Sequence, residues 1–230
     1  MKPSIHPFMS ESDFWAQALK STLKAVEEAL TLHGHARIGL AGGSTPKKLY
    51  ELLSCENLPW EKISWIILDE RYVSAEDAES NLKMISQILF NPASIAEENR
   101  IFFDTSLSSL EAAESMNRRL HFLEKFREPL FDLLLLGAGK DGHIASLFEG
   151  DPSLLTAHYA YVTEAPNEYQ TTQRLTVSLA ALSKASKALL LLKGPEKRPV
   201  IEALEGEPIL PLTALKHLSA KVPLEVLFCA

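Results

Sequence analysis

The chain is poor in the features that would tie it to a metal, a membrane or a nucleic acid. It carries two cysteines, Cys55 and Cys229, with no metal-ligand spacing between them. That suits a reducing compartment and free thiols, and leaves a chance disulfide open. No stretch of 18 apolar residues occurs, and Pro3, His6 and Pro7 interrupt the region where a secretory signal needs an unbroken apolar core. A cytoplasmic location is therefore expected. Positive charge is also short. Lys and Arg number 23 against 30 Asp and Glu, for a formal net charge of -7, and no basic run forms a stripe for a duplex or an acidic membrane. His33 and His35 lack the HExxH spacing, His121 lies in a charged helical stretch, and His158 and His217 have no clustered Cys or His neighbours, so none reads as a metal ligand. Trp15, Trp60 and Trp65 have no interleaved basic platform and read as packing residues. An acidic chain can still bind a phosphorylated metabolite, because a few converging cations and backbone N–H groups suffice for a local anion site.

A chain of 230 residues buries about 70% of its extended surface and needs no disulfide or metal staple. It reads as one α/β domain over 1–230. Ser10 with Asp13 resembles a capping box, and Phe14, Ala18, Val26 and Leu30 fall at helical spacing over 13–31. The apolar run 37–41 breaks at Gly42-Gly43, and Pro46 can open a helix through Leu53. A second apolar run, 63–68, ends at Asp69-Glu70-Arg71. Residues 80–90 and 107–127 read as helices. The run 131–136, with Asp132 near its start and Gly137 at its end, has the two-sided apolar character of an interior parallel strand. Further strands are expected at 158–163, 173–178, 187–192 and 224–229, with a helix near 197–204 and a local turn at Pro208 and Pro211. This alternation predicts a doubly wound, mainly parallel sheet with helices on both faces, a Rossmann-like α/β fold.

Four segments can carry chemistry at the carboxyl edge of such a sheet. In Gly42-Gly43-Ser44-Thr45-Pro46, two glycines let the backbone approach an oxyanion, and hydroxyls and a helix N-terminus supply donors. An ordinary capped helix after a turn has the same local appearance, and the spacing is neither GxGxxG nor a P-loop. Asp69, Glu70 and Arg71 emerge past a buried strand. There Arg71 can grip an oxyanion or polarise a carbonyl, or the acids can pair with it to close the strand end. The third segment, Gly137 to His143, has three glycines that fold the main chain tightly. A neutral imidazole such as that of His143 can take a proton from water. Asp141 can orient that ring or stabilise its charged form, although a two-residue separation does not by itself bring them together. Finally, Arg174 at the start of one strand and Lys197 after Gly194-Pro195 can converge on the Ser44 loop to neutralise a terminal phosphate, or remain solvated surface charges.

Taken together, Gly42 to Pro46, Asp69 to Val73, Ser80-Asn81 with Met84, Gly137 to Phe148, Arg174 to Thr176, and Gly194 with Lys197 resemble the 6-phosphogluconolactonases in order and spacing over nearly the whole chain. That family lies within the wider superfamily of glucosamine-6-phosphate deaminase and ribose-5-phosphate isomerase. The resemblance implies hydrolysis of 6-phosphoglucono-δ-lactone to 6-phosphogluconate in the oxidative pentose phosphate pathway. It puts the catalytic histidine at His143, the active-site arginine at Arg71, and the phosphate site at Gly42, Gly43, Ser44, Thr45, Arg174 and Lys197. Asp69 falls where related deaminases carry their proton-transfer aspartate, but Ala145-Ser146-Leu147-Phe148 continues the lactonase pattern without the deaminase glutamate. Two places depart from the family: Lys140 stands where proline is usual, and Asn167-Glu168-Tyr169 replaces a Lys/Pro-rich segment of the substrate-covering loop. No cofactor or metal is expected, because a lactone carbonyl is already electrophilic, and the only partner expected is a small phosphorylated sugar lactone. Isomerisation or deamination through Asp69, or noncatalytic sensing of a sugar phosphate, are the competing readings.

Overall fold

The computed structural model of the chain describes residues 2–151, 154–207 and 209–230. The strands are β1 (Ser4–Phe8), β2 (Ala36–Leu40), β3 (Ile63–Ile67), β4 (Asp69–Arg71), β5 (Arg100–Ile101), β6 (Leu133–Gly137), β7 (Ala160–Glu164), β8 (Gln173–Val177), β9 (Ala188–Lys193) and β10 (Leu224–Cys229). The helices are α1 (Glu11–His33), α2 (Ser44–Leu53), α3 (Asn81–Ile85), α4 (Ser109–Phe126), α5 (Leu179–Leu182), α6 (Arg198–Glu205) and α7 (Thr213–Lys221). Seven strands form one parallel sheet in the order β1-β10-β9-β6-β2-β3-β5. From β2 the chain winds outward through β3 to β5, then returns to β6 and winds the other way through β9 and β10. The winding reverses between β2 and β6, which leaves a crevice at their carboxyl ends.

Side-chain alternation along the inner strands divides the apolar residues between two cores. Ile38, Leu40, Trp65, Ile67, Leu133, Leu135, Leu189 and Leu191 pack with α1 and α2 on one face. Ile66, Leu68, Leu134, Leu136, Leu190 and Leu192 pack with α4, α6 and α7 on the other. Successive side chains of a strand point to opposite faces, so a sheet covered on both sides needs apolar residues at every position. Each large side chain withdrawn from water in this way contributes about 1.5–3 kcal/mol. Trp65 is fully buried and Trp60 lies 5.7 Å from it, ring to ring, as expected of packing residues. Cys55 is exposed, Cys229 is buried, and both are free thiols. Among the described residues no helix is long and apolar enough to cross a membrane.

The structure corrects the sequence reading at several points. The strands expected at 158–163 and 173–178 do not join the large sheet. As β7 and β8 they pair antiparallel with each other, and β8 pairs antiparallel with β4, in a separate three-stranded sheet. The link over 165–172 is too short for the crossover that parallel pairing requires. Asp69-Glu70-Arg71, read as a strand end, is itself β4. Leu68 is the hinge between the sheets: its N–H donates to Leu40 O at 2.9 Å and its carbonyl accepts from Val177 N at 2.8 Å. The helix expected over 80–90 is α3 followed by a π-helical turn, Ser86–Phe90. Ser10 caps α1 by accepting from the Asp13 N–H, whereas a reciprocal capping box occurs at Ser108 and Glu111 on α4. Of the expected Pro208–Pro211 turn, Pro208 lies outside the described residues.

Opposite the crevice, the amino end of the sheet is tied by Asp132. Its carboxylate accepts from Arg127 Nη1 and Nη2 at 2.9 and 2.6 Å and from the Arg37 N–H at 2.7 Å. Arg127 Nη2 also donates to His35 O at 3.1 Å. Burial, then the charges of Arg127 and Arg37, lower the His35 imidazole from its ordinary value. The unfolded chain therefore takes up this proton more readily. The stability that depends on neutral His35 is present above about pH 6.5 and is lost as pH falls from there through the lowered folded-state value. In urea unfolding at about pH 7.5 and about pH 5.5, the parent protein should lose more stability on acidification than a His35→Gln variant. Equal losses would remove His35 from the account.

Candidate active site

The turns that leave β2 and β6 line a cavity of about 380 Å³ in the crevice, together with residues from β4 and from the segments after β7 and β9. It brings together Gly42, Gly43, Ser44, Thr45, Asp69, Arg71, His143 and Lys197, side chains and turns spread over more than half the sequence. Gly43 is the N-cap of α2 at φ 100°, a left-handed backbone angle that a side chain would strain, and no side-chain oxygen caps this helix. The first-turn N–H groups around Ser44 and Thr45 thus face the cavity without a capping side chain, as an anion site requires. A Cβ on Gly42 would meet Asn81 Oδ1 at 2.2 Å, so glycine here permits the contact between this turn and α3.

On β4, the acids adjacent to Arg71 do not pair with its guanidinium. Glu70 accepts from the N–H groups of Arg71, Asn81 and Leu82 at 2.8, 2.7 and 2.8 Å and from Ser80 Oγ at 3.2 Å, which ties down the start of α3. Burial pushes its carboxyl above the ordinary range, while the Leu82, Asn81 and Arg71 N–H groups pull the other way. Arg71 Nη1 donates to Glu79 O at 2.7 Å and to Asn81 Oδ1 at 2.9 Å, which aims the fork along the cavity wall. Asp69 accepts from Ser146 Oγ at 2.6 Å and from the Gly42 N–H at 3.4 Å. It therefore joins three cavity segments.

His143 and Asp141 do meet. His143 Nδ1 lies 2.7 Å from Asp141 Oδ1. Because the carboxylate only accepts, Nδ1 carries the proton in the neutral ring and Nε2 keeps a free lone pair. Burial acts to raise the Asp141 carboxyl, but its hydrogen bond to His143 and the attraction between them hold it below its ordinary value. Gly139 makes the pairing possible: a Cβ there would lie 2.2 Å from Asp141 Oδ1 and 2.3 Å from His143 Nδ1. The imidazole also packs on Phe148, ring centroids 4.5 Å apart. No helix follows His143 over residues 144–151. Ala145 and Ser146 instead take left-handed angles, φ 45° and 54°, strain of the kind that collects at functional sites.

Lys197, in a 3-10 turn just before α6, lines the cavity and donates from Nζ to Ala138 O at 2.8 Å. Arg174 sits differently. It is directly opposite Arg71 in the β4–β8 pairing but does not line the cavity, and its guanidinium lies behind the Tyr169 ring, 5.6 Å from the centroid. Sequence reasoning did not find Asn81 and Ser146 as partners of Arg71 and Asp69, nor Glu196 and Tyr169 as cavity residues, because no local pattern announces these contacts. The exposed Lys140 also lines the cavity. Among the described residues, no group of three or more His, Cys, Asp or Glu side chains is placed to hold a metal ion.

Known proteins share this fold and much of this sequence. The sequence profile of the family described as glucosamine-6-phosphate isomerases/6-phosphogluconolactonase matches residues 9–222. A 6-phosphogluconolactonase of Caulobacter vibrioides is 31% identical over 226 residues, covering 95% of this chain and 94% of that protein. One from Synechocystis sp. is 34% identical over 202 residues, covering 86% and 83%. The crystal structure of 6-phosphogluconolactonase from Thermotoga maritima superposes with a TM-score of 0.85 at 28% identity over 99% of each chain. That of the Trypanosoma brucei enzyme gives 0.87 at 25% identity over 99% and 96%. With a profile match over residues 9–222 and relatives aligned over 94% and 83% of their own lengths, the chain belongs to the glucosamine-6-phosphate isomerase/6-phosphogluconolactonase family.

Proposed function

We propose that the chain works as one cytoplasmic α/β unit over 1–230 that hydrolyses 6-phosphoglucono-δ-lactone to 6-phosphogluconate, with His143 as general base. The observation that carries this reading is the 2.7 Å His143–Asp141 contact at the wall of a cavity that also holds the uncapped start of α2 and Lys197. The phosphate serves as a handle: the Ser44 and Thr45 N–H groups and Lys197 hold it, with Arg174 adding charge from behind Tyr169. That grip fixes the distant carbonyl near the imidazole.

His143 Nε2 removes a proton from a water molecule as its oxygen attacks the lactone carbonyl. Arg71 and nearby backbone N–H groups stabilise the tetrahedral oxyanion. When the oxyanion collapses, the bond from the carbonyl carbon to the ring oxygen breaks, and the departing oxygen takes the proton from the imidazolium. Water has then been added across one C–O bond, and the new carboxylic acid releases a proton at neutral pH. Asp141 holds the imidazole in the productive tautomer and balances its transient charge.

The test follows acid release from freshly generated 6-phosphogluconolactone against a blank without protein, with ammonia release from glucosamine 6-phosphate as the control arm. Acid release well above the blank with no ammonia is expected. Ammonia release would replace this reading with deamination through Asp69. Activity on neither substrate, with retained phosphate binding, would make the protein a sensor.

A further inference from the structure

Outside the residues given roles above, one cavity side chain lies against both the imidazole of His143 and the guanidinium of Arg174. Tyr169 lies in the segment 165–172 that joins β7 and β8, is half-buried, and lines the cavity. Its ring is edge-to-face with His143 at 5.9 Å, tilted against Phe148 at 5.6 Å, and faces the Arg174 guanidinium at 5.6 Å. The segment is held at its base by the Ala165 N–H on Thr172 O at 2.7 Å and at its turn by the Tyr169 N–H on Pro166 O at 3.0 Å. A third tie runs from Thr171 Oγ1 to the Glu79 side chain, on the residue whose carbonyl receives Arg71. The ring is thus a fixed wall.

Behind that wall Arg174 is 4% exposed, and its Nε, like that of Arg71, is buried without a hydrogen-bond partner among the described residues. Guanidiniums at facing positions of a strand pair repel each other, and of this pair it is Arg174 that lies against the aromatic face. We infer that Tyr169 is a positioning and specificity residue: its ring keeps Arg174 dry, so that the charge reaches the cavity unscreened, and holds the imidazole at a set distance from that charge. The favoured ligand is then a ring-closed sugar that carries both a phosphate and an electrophilic carbonyl. Water around Arg174 would screen its charge, since the same cation acts far more strongly across a desolvated aromatic face than in bulk solvent. The inference rests on the lactonase reading for its choice of substrates.

The test compares the parent protein with Tyr169→Ala and Tyr169→Phe, all three checked for unchanged Tm. The first readout is the ratio of kcat/KM on 6-phosphogluconolactone to kcat/KM on unphosphorylated gluconolactone. The second is the Kd of inorganic phosphate, by calorimetry. Tyr169→Ala should lower the ratio about 10-fold or more and weaken phosphate binding severalfold, whereas Tyr169→Phe, which keeps the ring, should stay within about 2-fold of the parent in both. A ratio unchanged in Tyr169→Ala, or equal losses in Tyr169→Phe, would overturn the inference. If the parent hydrolysed neither lactone, the lactonase reading would fail on its own. Phosphate affinity would still decide the role of Tyr169, and an unchanged Kd in Tyr169→Ala would end it.

Discussion

A His143→Ala variant is expected to hydrolyse 6-phosphogluconolactone with kcat/KM about 10³-fold below the parent protein, within the usual range for loss of a general base. Most of the fall should lie in kcat, because the imidazole acts on the water and the carbonyl while the phosphate is gripped elsewhere. Binding of inorganic phosphate should change little, since Ser44, Thr45 and Lys197 stand at other parts of the cavity wall. An Asp141→Asn variant should also lose kcat, by about 10²- to 10⁴-fold, because the ring remains but its Nδ1 no longer faces a carboxylate that fixes the tautomer. Rates need correction for spontaneous hydrolysis of the lactone. Parent-level kcat/KM in His143→Ala would remove the assigned base and, with it, the proposed chemistry.

The largest expected loss of stability lies at the other end of the sheet. Asp132→Ala takes a buried acceptor away from the Arg127 fork and from the Arg37 N–H. Breaking a buried pair from one side costs about 3–5 kcal/mol, because the remaining charge stays desolvated. For a chain of this size that amounts to about 6–20 °C in Tm. The cluster ties together the amino ends of β2 and β6, and the cavity opens at their carboxyl ends. At a temperature where the variant is folded, its kcat/KM should therefore match that of the parent. A Tm within about 2 °C of the parent would show that water or a neighbouring group replaces Asp132 at little cost. A large fall in kcat/KM would show that the two edges of the sheet are coupled.

Much of the large sheet could be read from local patterning. Leu133 to Leu136 is apolar at every position and Ile63 to Leu68 at all but Ser64, a pattern that suits a strand covered on both faces, and these runs became β6 and β3. The short edge elements escaped this reading. β1 contains His6 and Pro7 and pairs on one side only, so it has no two-sided apolar run. β5 spans Arg100–Ile101, too short for periodicity to register. The three-stranded sheet was misassigned because a strand's own sequence does not say which neighbour it pairs with. The shortness of 165–172, rather than any residue in β7 or β8, dictates the antiparallel hairpin.

The candidate site divides along similar lines. His143, Asp141 and the Gly42-Gly43 turn were accessible as candidates from the chain alone because glycines that relieve backbone crowding stand beside groups with chemistry, and Arg71 because it follows a buried apolar run. Asn81 and Ser146 were not, since each acts by bonding a residue distant in sequence, Arg71 and Asp69 respectively. Tyr169 read only as a departure in a covering loop, and its contact with Arg174 depends on how the β7–β8 hairpin folds back.

By itself, the sequence determined the inner strands of the large sheet and the longer helices before them, that the sheet is buried on both faces, and which turns can approach an anion, since these follow from side-chain periodicity and glycine placement over a few residues. Tertiary structure alone decided that Glu70 secures α3 while Arg71 stays unpaired by its acidic neighbours, that Asp69 sits at the junction of two sheets, and that Arg174 lies behind an aromatic wall. Those outcomes depend on which distant groups compete for the same buried donors and acceptors, and that competition is settled only when the segments pack.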